Sequence, residues 1–253
     1  MKQTPATLIV LIMFIGLSAG LARPAAAQAR AWPERTWFSV SGGVQPTVNS
    51  FSDAFEVPLS TETGTATIAY PVVGGTVIAA SGGYRVWKRL ALGFGVTRDG
   101  RRADATVDAQ LPHPFVDHQF RAVRGTTPAT RTEVGAHALI GWMMPITDRI
   151  RLLVTAGPSF LSVRQSLVTK VNVTETYPYD TAAFKSATTK NAAASAAGFN
   201  AGADVFWMFS RHIGAGGLIQ VTRARVNAPA DGGRTVAVNA GGAQAGAGLR
   251  LVF

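Results

Sequence analysis

Apolar residues recur at every second position along most of this chain, not at helical spacing. Leu90, Leu92, Phe94 and Val96 share one face; Ala91, Gly93, Gly95 and Thr97 share the other. Val134, Ala136, Ala138, Ile140 and Trp142 oppose Arg131, Glu133, Gly135 and His137. Phe199, Ala201, Ala203, Val205 and Trp207 oppose Asn200, Gly202 and Asp204. At the end, Ala243, Ala245, Ala247, Leu249, Leu251 and Phe253 oppose Gln244, Gly246, Gly248 and Arg250. A period of two is that of a β-strand. Eight such segments are predicted, over residues 36–46, 72–86, 90–98, 130–143, 150–163, 195–208, 212–225 and 235–253.

The connections come in two kinds. Three are short, within YRVWKRL (84–90), WMMPITDRI (142–150) and FWMFSRHI (206–213), a weak hairpin repeat at roughly 55 to 65 residues. The others are polar and mostly long: 47–70, 98–129, 164–194 and a shorter one at 227–234. Short and long alternate strictly. Eight antiparallel strands with short turns at one end and loops at the other form an up-and-down barrel. The Gly and Pro residues in PVVGG and TAGPS are candidate bulge sites that would shift the faces beyond them.

Which face points inward follows from size. Eight strands enclose a space that side chains just fill. The glycine-rich face suits that interior, so the bulky apolar face points outward, which only lipid tolerates. Trp87, Trp142 and Trp207 all fall beside short turns, as an interfacial aromatic girdle requires. Phe160 and Phe199 fall near the opposite interface. Charges assigned to the lumen are Arg85, Arg131, Glu133, Arg151, Asp204 and Arg250; buried charges need partners, so they are read as an ion-pair plug with Asp204 among its acceptors. The competing reading is a narrow solute pathway.

Composition narrows the compartment. Lys2, the apolar stretch 7–22 and the small residues of ARPAAAQA have the layout of a secretory signal peptide, assigned to 1–29, with the barrel domain at 30–253. The chain has no cysteine, which excludes disulfides and thiolate metal sites. Its net charge is +10, but the basic residues are dispersed without a Lys/Arg block, which argues against nucleic acid.

With signal peptide, alternating turns and loops, and the terminal LRLVF, the chain resembles the small eight-stranded outer-membrane barrels of Gram-negative bacteria, the broad OmpA/OmpX-like group. The resemblance implies an all-β transmembrane barrel in the outer membrane, both termini periplasmic. It also implies that Leu249, Leu251 and Phe253 are a signal read by the barrel-assembly machinery.

The resulting expectation is a structural or surface-interaction role without catalysis and without a cofactor. The alternatives are a narrow channel or transporter for small or hydrophobic solutes and, last, a lipid-modifying enzyme. Lipid A deacylases carry a His-x-Ser-Asn arrangement, and none of His113, His118, His137 or His212 begins one. His113 and His118 flank Asp117 in a long loop, too few ligands for a metal site. His137 is read as a satisfied interior histidine. Arg98, Arg101, Arg102, Arg121 and Arg124 are candidates for contact with lipopolysaccharide phosphates. The stretch 166–198 is expected to extend its hairpin beyond the membrane, with an edge open to strand addition.

Overall fold

The computed structural model describes residues 33–46, 50–59, 62–71, 73–230 and 233–253. The expected signal peptide lies outside the described residues. Ten strands follow one another: β1 (Thr36–Gln45), β2 (Phe51–Leu59), β3 (Glu62–Tyr70), β4 (Gly75–Trp87), β5 (Leu90–Pro112), β6 (Phe120–Pro145), β7 (Ile150–Glu175), β8 (Ala182–Met208), β9 (Ile213–Pro229) and β10 (Thr235–Val252). Eight of them, β1, β4, β5, β6, β7, β8, β9 and β10, close into an antiparallel ring. The seam joins β1 to β10, from Trp37↔Val252 to Val44↔Ala245. There the Phe253 carbonyl accepts the N–H groups of Arg35 and Thr36, each at 2.8 Å.

Two of the short turns share one device. Thr147 Oγ1 accepts the N–H groups of Arg149 (3.2 Å) and Ile150 (2.9 Å). Ser210 Oγ accepts those of His212 (3.4 Å) and Ile213 (3.1 Å). A hydroxyl two or three residues ahead of the returning strand satisfies donors the ladder cannot reach.

The outward face of the ring is apolar over a belt. Phe38, Val40, Ile78, Leu92, Phe94, Val96, Val134, Ile140, Phe160, Phe199, Ile219 and Leu249 are all exposed. Such a band is stable only against hydrocarbon, so the ring is a transmembrane barrel. The TAGPS site does not invert a face; PVVGG lies ahead of the β4 ladder, with residue 72 outside the described residues. At Gly157 and Pro158 the β6–β7 ladder skips from His137↔Ser159 to Ile140↔Ala156 without a change of register. The one β4–β5 irregularity falls between Arg85 and Trp87.

The long connections are not loops. β5 and β6 stay paired from Leu90↔Trp142 to Pro112↔Phe120, and β7 and β8 from Ile150↔Trp207 to Glu175↔Ala182. The span 47–70 contains the β2–β3 hairpin, and β3 pairs with β5 at Thr65–Ala69, where β4 has ended. Above the belt the apolar residues lie on the inward face instead: Ala105, Val107, Ala109 and Leu111 on β5, Val123 and Ala129 on β6, Val236 and Val238 on β10. Outward-facing Arg102, Asp104 and Gln110 are exposed.

This extension is a two-layered body. The β6–β7 ladder ends at Arg131↔Gln165, and beyond it β7 and β8 pack across the inner face of β5 and β6. Phe184 of β8 lies so close to Gly125 of β6 that a Cβ there would stand 2.1 Å from its ring. Ile68, Tyr70, Val107, Leu167 and Val168 fill the space between the layers. Arg234 ties the β9–β10 hairpin to β2 through Asp53 (2.7 Å) and the Ala54 carbonyl (2.7 Å).

Two predictions follow from this packing. In the lumen, a Cβ on Gly83 would lie 2.0 Å from the Trp37 ring and 2.5 Å from the Leu92 carbonyl, whereas one on lipid-facing Gly42 meets nothing within 4 Å. Gly83→Leu is therefore expected to cost about 1–3 kcal/mol or more by overpacking, and Gly42→Ala to leave the urea midpoint in detergent micelles unchanged. In the extension, burial raises the Tyr70 phenol from its ordinary 10.0 to about 12. Its oxygen accepts the Val168 N–H at 2.7 Å. A raised folded-state value means that its contribution is complete below pH 10 and is lost as pH climbs through about 12. Melting curves taken across that window should fall more steeply for the native chain than for Tyr70→Phe. At neutral pH the variant should lose about 1–3 kcal/mol from the unpaired Val168 N–H.

Candidate functional site

The lumen is filled in layers. At the short-turn end, Trp37, Ala91, Met143, Leu153, Phe206, Met208 and Val252 form an apolar seal. Beside it, Arg151 pairs with Glu34 at 2.7 Å. Next along the axis, Arg250 Nε donates to Asp204 Oδ1 at 2.8 Å, and the guanidinium lies 5.8 Å over the Phe206 ring. Then comes a neutral polar layer. The His137 ring spans Thr97 Oγ1 (2.9 Å) and Ser159 Oγ (2.8 Å), and Asn200 Nδ2 donates to the same Ser159 oxygen (2.9 Å). A cavity of about 30 Å³ remains beside it, lined by Ser39, Ser81, Thr97, His137, Asp204 and Gln220 among others.

Above this layer sits a four-charge cluster. Arg131 Nε donates to Glu133 Oε1 at 2.6 Å, Arg101 lies 3.6 Å from the same oxygen, and Arg101 also pairs with Asp99. Glu133 Oε2 accepts the Gly241 N–H at 2.7 Å, and Arg131 donates to the Asn239 carbonyl at 2.6 Å. Partnering of this kind offsets the cost of burying charged groups.

Of the six residues assigned to the lumen, five lie in it. Arg131 and Glu133 form part of the cluster, Arg250 and Asp204 pair with each other, and Arg151 stands near the short-turn end. Arg85 stands apart, at the mouth, partly exposed and donating to the Pro33 carbonyl at 3.1 Å. Three further members, Glu34, Asp99 and Arg101, were not assigned to the lumen. Arg101 and Arg121 do not face outward toward phosphates as expected: strand pairing continues through them, and their parity turns them inward, leaving them 8% and 4% exposed. Outward-facing Arg124 pairs with Asp108 at 3.0 Å.

Trp87, Trp142 and Trp207 are exposed on the outer wall at the short-turn end, and Phe160 and Phe199 toward the other end of the belt. Leu249, Leu251 and Phe253 are exposed beside the seam. Phe253 stacks on His212, whose Nδ1 meets the Val252 carbonyl at 2.9 Å.

At the far end of the extension three hairpin tips are fastened together. His113 is buried, and its Nδ1 accepts the N–H groups of Phe115 (3.1 Å) and Val116 (3.0 Å). Arg121 donates to the Pro112 carbonyl (2.8 Å), the Tyr179 carbonyl (3.0 Å) and Glu175 (3.0 Å). Glu62 of β3 accepts the His118 N–H at 2.9 Å. Among the described residues, no group of three or more His, Asp or Glu is placed to hold a metal ion.

Replacing Asp204 by Ala leaves buried Arg250 uncompensated. The expected loss is about 3–5 kcal/mol, and replacing both by apolar residues of similar volume (Asp204→Leu with Arg250→Met) should restore most of it. Urea unfolding of the single and double variants in detergent micelles measures both.

No family model and no curated protein matches the chain. Among solved structures it is similar to the outer membrane protein OprG from Pseudomonas aeruginosa, 12% identical over 87% of this chain and 96% of that one, with a TM-score of 0.43. It is also similar to Ail, the attachment invasion locus protein of Yersinia pestis, solved with the heparin analogue sucrose octasulfate, 10% identical over 86% of this chain and 99% of that one, with a TM-score of 0.37. By its own strand ring and apolar belt, the chain is a small eight-stranded barrel of the outer-membrane type.

Proposed function

We propose that this protein is a closed, non-catalytic outer-membrane barrel whose work is done by the extension it holds above the lipid. The observation that carries this reading is the filling of the lumen. An apolar seal, an ion pair, a neutral polar layer and a four-charge cluster follow one another, and the gap beside the polar layer is about 30 Å³, room for little more than a water molecule. The same packing argues against catalysis at the Ser159–His137–Asn200 trio. Ser159 and His137 are 6% and 1% exposed, and no substrate fits beside them.

In this reading both termini face the periplasm and the extension faces outward. The barrel-assembly machinery reads Leu249, Leu251 and Phe253 at the seam strand. Exposed Arg98, Arg164 and Arg223 stand just above the belt, where lipopolysaccharide phosphates lie, and make charge-assisted bonds to them. A second reading, uptake of hydrophobic solutes, has one observation in its favour. Above Gly198↔Ala224 strands β8 and β9 part, and a groove of about 160 Å³ opens there over Leu167, Val168, Ala192, Pro229 and Ala230.

Unboiled and boiled gel electrophoresis of outer-membrane fractions, followed by planar-bilayer recording, tests the proposal. A heat-dependent mobility shift without stepped currents is expected. Stable single channels would sink the closed-barrel reading, and recovery as a soluble periplasmic protein would sink the membrane reading as well. Lipopolysaccharide retained by the purified protein should fall in the Arg98→Gln/Arg164→Gln/Arg223→Gln variant.

A further inference from the structure

The distal tip spends buried polar groups on keeping aromatic rings out in solvent. Phe115 and Tyr177 are 76% and 81% exposed, and Val116 and Phe120 beside Phe115 are exposed too. The rings form one connected platform: Tyr177 meets Tyr179 edge-on at 6.1 Å, and Tyr179 meets Phe115 at 5.5 Å. Beneath it, His113 fixes the backbone of Phe115 and Val116, and Arg121 holds the Tyr179 carbonyl. A loop with no function would be expected to turn such rings inward or lack them. Rigid, outward aromatic anchors are what binding surfaces use, because little side-chain freedom remains to be lost on contact.

The charges around the platform select the partner. Asp117, Asp180, Glu62 and Glu175 surround it. The buried cation among them, Arg121, is turned inward onto Glu175 and two carbonyls. This acidic end belongs to a chain of net charge +10. At about 3.3 Å per residue, Leu111 stands on the order of 50 Å along β5 from Val96. The arginines near the belt are therefore several Debye lengths away; nearer the tip, Arg124 is paired with Asp108 and Lys185 of β8 is exposed, against the four carboxylates around the platform. Aromatic faces ringed by carboxylates favour guanidinium and ammonium groups, through the ring quadrupole and through direct charge.

We propose that the platform of Phe115, Tyr177 and Tyr179, rimmed by Asp117 and Asp180, is a docking site for a cationic, arginine- or lysine-rich polypeptide. The proposal rests on the surface-projecting barrel described above and names the kind of partner its extension meets.

The test uses the full barrel in phosphatidylcholine nanodiscs, with fluorescein-labelled deca-arginine as probe and deca-glutamate and dextran as comparators. The native protein should bind deca-arginine in a salt-sensitive manner and ignore both comparators. Phe115→Ala with Tyr177→Ala, and Asp117→Asn with Asp180→Asn, should each weaken binding by about ten-fold or more. Phe115→Leu, which keeps the apolar bulk but removes the ring, should weaken it as well. Arg211→Gln in the short turn at the opposite end should leave it unchanged. Binding that survives both double variants overturns the proposal, and so does ring-dependent binding of dextran or deca-glutamate in place of deca-arginine. Gel mobility of the same samples separates the two levels. A native chain without a heat-dependent shift fails the barrel reading; a chain that shifts but ignores deca-arginine fails this one alone.

Discussion

The pleat of a strand cannot be renegotiated halfway along without a bulge. Side chains alternate between the two faces from one end to the other, and in β5 the ladder to β6 runs without a register shift from Leu90 to Pro112. The surroundings of the outer face do change along that length. Next to lipid the outward positions must be apolar, as Leu92, Phe94 and Val96 are. Next to water they must be polar, and the apolar residues move to the inward positions, as Ala105, Val107 and Leu111 do. The switch in parity between Val96 and Ala105 therefore marks the edge of the hydrocarbon. The layered lumen, the arginines just above the belt and the packed extension all take their places from that line.

The charged layers of the lumen obey a related constraint. Inside the belt the inward face cannot repeat the apolar pattern of the outward one without losing the contrast that orients each strand. Small residues leave room for Trp37, and polar ones must then satisfy each other. Arg250 finds Asp204, Arg131 finds Glu133, and Glu133 reaches across to the Gly241 N–H. Such pairs contribute less to stability than to uniqueness: a strand shifted by one residue would send Arg250 into lipid and Leu249 into the lumen.

The same parity switch explains how much was legible in the residues alone. The eight belt segments, the outward tryptophans and the short turns stood out because bulky and small residues alternate there in one sense. Beyond Arg98 the alternation persists in the opposite sense, with alanine and valine inside and Arg102, Asp104 and Gln110 outside. Read against the belt's pattern, it looked like a polar connection. The β2–β3 hairpin was missed for the same reason: its inward residues, Ala66, Ile68 and Tyr70, sit among threonines. Glu34 and Asp99 carried no local signal of their pairing, since their partners Arg151 and Arg101 are revealed only by strand order and parity. The tip could not be foreseen, because its rings come from two hairpins and one of its fastening groups, Glu62, from a third.

The filled lumen also dictates an order of events. Once Trp37, Phe206 and Met143 have packed across the barrel, no polypeptide can be threaded through it. On the proposed orientation the extension, with its own apolar interior, reaches the far side of the membrane while the wall is still open. Only then can β1 and β10, some 200 residues apart in sequence, zip together from Trp37↔Val252 to Val44↔Ala245. The plug thus works as a one-way latch, committing the molecule to its orientation at the moment the ring closes.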